Sequence, residues 1–185
     1  MSRTYESISP AVIEWIERQQ MFFVASAPLG GEGHVNLSPK GLDTLRILDE
    51  CTVAYLDLTG SGAETAAHLR ENGRITVMWC AFDGPPRIVR VHGHGEHVGL
   101  DDERVAGRFP DLPGARGVVV VHAERISDSC GYAVPRYDYQ GQRDRLIDWA
   151  AAKSTADLDA YRATKNATSI DDLPAIDPAI DPASA

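Results

Sequence analysis

Cysteine is scarce in this sequence, and its spacing suits little chemistry. Cys51, Cys80 and Cys130 are the three present in 185 residues, and no C-x-x-C pair occurs. That excludes a disulfide framework and a thiolate zinc site, and it fits reduced thiols in a cytoplasmic protein. Basic residues are also few: 18 Lys and Arg stand against 27 Asp and Glu, a formal net charge of −9. Binding to phosphate backbones or anionic membranes needs an excess of Lys and Arg, so neither nucleic acid nor a membrane surface is an expected partner. Long apolar runs are missing too. No stretch of about 18 apolar residues could span a bilayer. The charged opening, "MSRTYESISPAVIEWIERQQ", lacks the apolar centre of a signal peptide. Two catalytic signatures are likewise absent, the G-x-S-x-G nucleophile elbow and the Gly-Lys-Ser/Thr of a phosphate-binding loop.

What remains is an ordinary globular composition, 43% apolar and 24% charged, with enough length for one domain and a real core. "SPAVIEWIERQQ" predicts a helix, with Ser9 as N-cap and Pro10 in the first turn. Six strands are then expected: "MFFVASAP", "VNLSPKG", "CTVAYLDL", "RITVMWCAF", "RIVRVHGHGEHV" and "RGVVVVHAERI". Between the third and fourth, "TGSGAETAAHLRENG" is a glycine-rich turn feeding a short helix that Gly73 ends in the left-handed conformation. "DDERVAGRF" predicts a modest helix, and residues 143–165 a longer one in two pieces broken near Ser154. Strand follows strand through tight turns, which argues for a mainly β fold with flanking helices, a small antiparallel barrel. Residues 1–165 form that single domain, and 166–185, with the repeated "AIDP", an extended Pro-rich tail.

Four stretches carry possible chemistry. In "LTGSGAET", Gly60 to Gly62 and a helix start can turn N–H groups to one place, with Ser61 and Thr65 adding hydroxyls. This is either an anion site or a pair of helix caps. "HVNLSPKG" places Asn36, Ser38 and Lys40 together on a β-like segment, an odd load for a buried strand; beside the "TGSGAET" turn they would converge on a phosphate-bearing ligand. "HGHGEH" sets His92 and His94 on one strand face, but its two glycines point to a bend or a close backbone approach rather than to a metal site. "SCGYAVPRYDY" is dense in aromatics. Tyr132, Tyr137 and Tyr139 either wall a flat ligand or serve packing.

The series "FFVASAP", "VNLSPKG", "TVAYLDLTGSGAETAAHLRENGRITVMW" and "RIVRVHGHGEHV" resembles the pyridoxamine 5′-phosphate oxidase-like family, the FMN-binding split β-barrels. The last third resembles a bacterial flavin-nucleotide-binding subgroup of it. The resemblance implies a six-stranded antiparallel split barrel, a homodimer with FMN at the subunit interface, and transfer of hydride or electrons to or from a small substrate. Carried over by position, Asn36, Leu37, Ser38 and Lys40 would meet the flavin's polar edge, ribityl chain or phosphate. Tyr55 and Leu56 would lie along the flavin, and Ser61, Glu64 and Thr65 near the phosphate. Two departures stand out. Glu64-Thr65 replaces the Arg-Lys of many members, and the sequence has no arginine after Arg162 for a grip on pyridoxamine phosphate, so another substrate is implied. Family members also use FAD or a deazaflavin and some bind haem, so a non-catalytic flavin carrier is the alternative, and a haem protein using His92 or His94 a more distant one.

Overall fold

The computed structural model describes residues 3–176. Its elements in chain order are β1 (Arg3–Tyr5), α1 (Pro10–Glu17), β2 (Phe22–Ser26), β3 (Asn36–Lys40), β4 (Leu45–Asp49), β5 (Thr52–Leu58), α2 (Glu64–Asn72), β6 (Arg74–Cys80), β7 (Ile88–Val98), β8 (Ala115–Ser129), α3 (Arg145–Ala151) and α4 (Thr155–Lys165). All strand pairings are antiparallel, in the order β3-β2-β6-β7-β8-β5-β4, with β1 added to β8.

This sheet is rolled. Phe22 of β2 and Tyr55 of β5 sit four strands apart in that order, yet their rings meet at 5.6 Å. One core therefore gathers Val24, Val53, Val77, Val91 and Val119 from five different strands, with Val12 and Ile16 of α1 packed against them. The valine run of β8 serves two layers, as the period-2 geometry of a strand requires. Val119 and Val121 face this core, while Val118 and Val120 face a second one with Leu56 and Val105.

The strand count differs from the six expected: eight are present among the described residues. β4 is short and amphipathic, with Leu45 and Ile47 against the main core and Leu48 against the second. β1 has three residues and is held by the side of β8. "DDERVAGRF" forms turns rather than a helix. Val105 and Ala106 both donate backbone N–H groups to the Asp102 carbonyl, then Gly107 at φ 70° ends the turn, and Val105 is buried. α3 and α4 break at Ser154, whose hydroxyl and Asp157 form a capping box. Gly73 caps α2 at φ 69°, where a Cβ would run into His94. At Gly93 a bulge in the β7–β8 ladder brings the His122 carbonyl so close that a Cβ has no room.

Residues 166–176 fold back over the start of α2. Thr168 and Pro174 form a β-bridge, Asn166 and Ser169 are buried, and Ala175 packs on Ala63 and Ala67. The rest of the "AIDPAIDP" stretch lies outside the described residues. No helix among the described residues is long and apolar enough to cross a membrane.

Candidate functional site

β3 is the last strand at one end of the sheet, hydrogen-bonded to β2 alone. Its alternation puts Asn36, Ser38 and Lys40 on one face and Leu37 and Pro39 on the other. On the first face the polar groups join up. Asn36 donates its amide to Thr65 Oγ1 at 3.0 Å, and the Ser38 hydroxyl donates to Asn36 Oδ1 at 3.0 Å. Lys40 Nζ lies 3.6 Å from Asp57 Oδ1 and 5.6 Å from the centre of the Tyr55 ring. Rolling of the sheet makes this meeting possible, because β3 and β5 are not neighbours in the ladder.

Beneath the cluster is a buried ion network. Asp57 accepts a hydrogen bond from Arg116 Nε at 2.8 Å, and its same oxygen lies 3.3 Å from His97 Nε2. Asp57 and Arg116 are 5% and 4% exposed, so each must be compensated by the other. Burial opposes the Asp57 charge, but Arg116, Lys40 and His97 outweigh it and hold the carboxyl well below the usual carboxylate range. Arg116 also donates Nη2 to the Gly62 carbonyl at 3.0 Å, tying down the glycine turn, while its buried Nη1 has no hydrogen-bond partner among the described residues. The Tyr55 hydroxyl is likewise fully buried beside Thr65 without a normal hydrogen bond. Burial and the Asp57 charge push that phenol well above its ordinary pKa, against smaller opposing effects of Thr65 and Arg116.

The other residues singled out from the sequence fall elsewhere. Leu37 points outward and is 64% exposed, and Leu56 faces the second core, one residue out of phase with Tyr55 and Asp57. Ser61 is exposed and makes no side-chain cap, so α2 starts after Ala63 as its N-cap, without a side-chain cap. Glu64 accepts the Ile170 N–H at 3.0 Å, turning its carboxylate to the chain's own C-terminal segment. His92 pairs with Thr76 at 3.0 Å, and His94 packs on Gly73. No group of three or more His, Cys, Asp or Glu among the described residues is placed to hold a metal ion. His68 on α2 is buried with Nδ1 2.9 Å from Ser26 Oγ, and burial lowers its pKa despite the opposing charges of Glu64, Asp171 and Glu71.

The arrangement also has relatives. A profile of the pyridoxamine 5′-phosphate oxidase family matches residues 8–130. The pyridoxamine 5′-phosphate oxidase family protein ustO of Aspergillus flavus is 40% identical over 192 residues, covering 93% of this chain and 77% of its own. The chain belongs to the pyridoxamine 5′-phosphate oxidase family. Solved structures bear on the fold alone. A histidine-to-alanine variant of HupZ from Group A Streptococcus superposes with a TM-score of 0.52 at 21% identity, over 66% of this chain and 99% of that one. Unaltered HupZ gives 0.50 at 22% identity, over 64% and 91%. In this member of the oxidase family the polar cluster lies on β3, and Arg116 is buried against Asp57 beneath it.

Sequence reasoning missed Asp57, His97 and Arg116. A signal for the first existed: one carboxylate inside the apolar run "CTVAYLDL", two residues after Tyr55, cannot be buried without a cation.

Proposed function

We propose that this chain binds a flavin, FMN first and FAD or a deazaflavin as alternatives, and passes hydride or electrons between it and a small substrate. The observation that carries this reading is the convergence of Asn36, Ser38, Lys40 and Thr65 over a buried Tyr55 hydroxyl that has Thr65 beside it but no hydrogen bond of normal geometry among the described residues. Buried polar groups are nearly always satisfied, so an orphan beneath a cluster of donors fits a site completed by a ligand rich in oxygen. The flavin supplies the redox chemistry when bound. The chain's part is to bind and orient: Lys40 as the cation, Asn36, Ser38 and Thr65 as hydrogen-bonding groups, and Asp57 as the counter-ion that fixes the ammonium.

Neither Asp57 nor Tyr55 is a candidate proton shuttle. The first is held ionised and the second held neutral across the neutral range. That favours chemistry needing no protein acid or base, and it gives the carrier reading its support. The last arginine, Arg162, is buried and spent on Thr59 and the Ala115 carbonyl, which supports a substrate other than pyridoxamine phosphate. A homodimer is favoured by the apolar side chains of Leu29, Val35, Leu37 and Ile170, each at least 64% exposed, and a reducing cytoplasm by three unpaired cysteines.

Anaerobic mixing of the flavin-loaded protein with NADH, NADPH or a reduced deazaflavin separates the two readings. Bleaching of the flavin bands within seconds, reversed by an acceptor, is the expected result. Bound flavin that no donor reduces would make the protein a carrier.

A further inference from the structure

Residues 131–144 run from the end of β8 to α3 without a helix or strand. A structureless connection this long in a compact domain is usually either functional or a linker, and this one is held in place. This strap is fastened at its flanks, by the Tyr137 N–H to the Phe82 carbonyl at 2.9 Å and by Gln142 Nε2 to the Gln20 carbonyl at 2.8 Å. Between strap and sheet lies a groove of 1010 Å³. Its aromatic and aliphatic wall is Phe23, Phe82, Tyr137, Tyr139 and Leu146. Tyr137 and Tyr139 are 62% and 55% exposed, an exposure that core packing does not explain. At the sheet side the chain turns through Gly41 and Leu42, and Leu42 is held at φ 62°, a strained conformation for a residue with a Cβ. The volume is of the size that holds a small molecule rather than a protein segment.

Charge narrows the ligand. In a chain of net charge −9, the groove brings Arg18, Lys40 and Arg143 against Asp83 and Asp138; Lys40 also lies 3.6 Å from Asp57, but Arg116 already balances that carboxylate at 2.8 Å, so a local excess of one cation remains. Arg18 shares an exposed pair with Glu14, of the kind that binds its partners weakly. We infer that the strap groove binds a flat aromatic acid, with the tyrosines on its ring. Lys40 belongs both to this groove and to the donor cluster, so a ligand seated here adjoins the proposed flavin site. That the ligand is the substrate rests on the flavin reading; that it binds does not.

Calorimetry with 2-naphthoate as probe, on protein with and without FMN, tests this. The expected result is saturable binding of one naphthoate per chain, at least about tenfold tighter than 2-naphthylmethylammonium. Tyr139→Ala alone, and Tyr137→Ala with Tyr139→Ala, should weaken naphthoate about tenfold or more while FMN affinity stays unchanged. No saturable binding, equal affinity in the double variant, or equal binding of the ammonium probe overturns the inference. A chain dimer that the double variant dissociates, with no naphthoate bound, would overturn it in favour of a protein-docking face. Naphthoate binding without FMN binding would sink the flavin reading alone.

Discussion

Asp57→Asn is the substitution that most directly probes the buried network. It keeps the side chain's shape and leaves an oxygen for Arg116 Nε, but removes the charge. At an effective dielectric of about 20, unit charges 2.8 Å apart attract by roughly 6 kcal/mol. Desolvation of the two groups offsets much of this in the wild type. In the variant the offset works the other way, since Arg116, 4% exposed, keeps its charge and loses its counter-ion. Breaking a buried pair this way costs about 3–5 kcal/mol. For a chain of this size that is on the order of 6–20 °C in melting temperature. Urea unfolding at a fixed protomer concentration measures it. The companion Asp57→Asn with Arg116→Met removes both charges and should recover to within about 2 kcal/mol of wild type. The carboxyl's folded pKa is depressed, so its stabilisation is present at any pH above about 4 and is lost as pH falls through the lower folded value. The acid-side loss should therefore shrink in Asp57→Asn. A loss below about 1 kcal/mol at neutral pH, or a double variant weaker than the single, would refute the reasoning.

Two further outcomes follow from the fold. His68 and His92 both have pKa values lowered chiefly by burial, so the unfolded chain binds more protons in mild acid. Stability should be full above about pH 6.5 and fall below it, and His68→Asn should flatten that slope in melts from pH 7.5 to 5. Gly93→Ala forces a Cβ into the His122 backbone and should cost about 2–4 kcal/mol, whereas Gly30→Ala, with open space around it, should change stability by less than about 0.5 kcal/mol.

The polar face of β3 was readable because a period of two is unambiguous: Asn36, Ser38 and Lys40 had to share a side, and Pro39 marked an edge. The same rule separates Tyr55 from Leu56 and Leu37 from its neighbours, so a carry-over by position gathers residues that the strand then divides between faces. Thr65 was legible as a hydroxyl at the start of α2, and the mainly antiparallel sheet with flanking helices from strands following strands. β4 was hidden by its length, five residues whose alternation "LRILD" passes for a loop. The partners of Asp57 were hidden for another reason. His97 and Arg116 lie 40 and 59 residues away along the chain and meet the carboxylate only once β7 and β8 are in register with β5.

The central claim is that the β3 cluster holds a flavin through Lys40. The direct measurement is a fluorescence titration of FMN with the wild-type protein and with Lys40→Ala, each checked for folding by its melting curve. Saturable binding by the wild type is expected. Affinity should be about 10- to 100-fold weaker in the variant, the loss of one charge-assisted contact, while stability falls by no more than about 1–2 kcal/mol. Equal affinity in the two proteins, or no binding of FMN, FAD or a deazaflavin by the wild type, would contradict it.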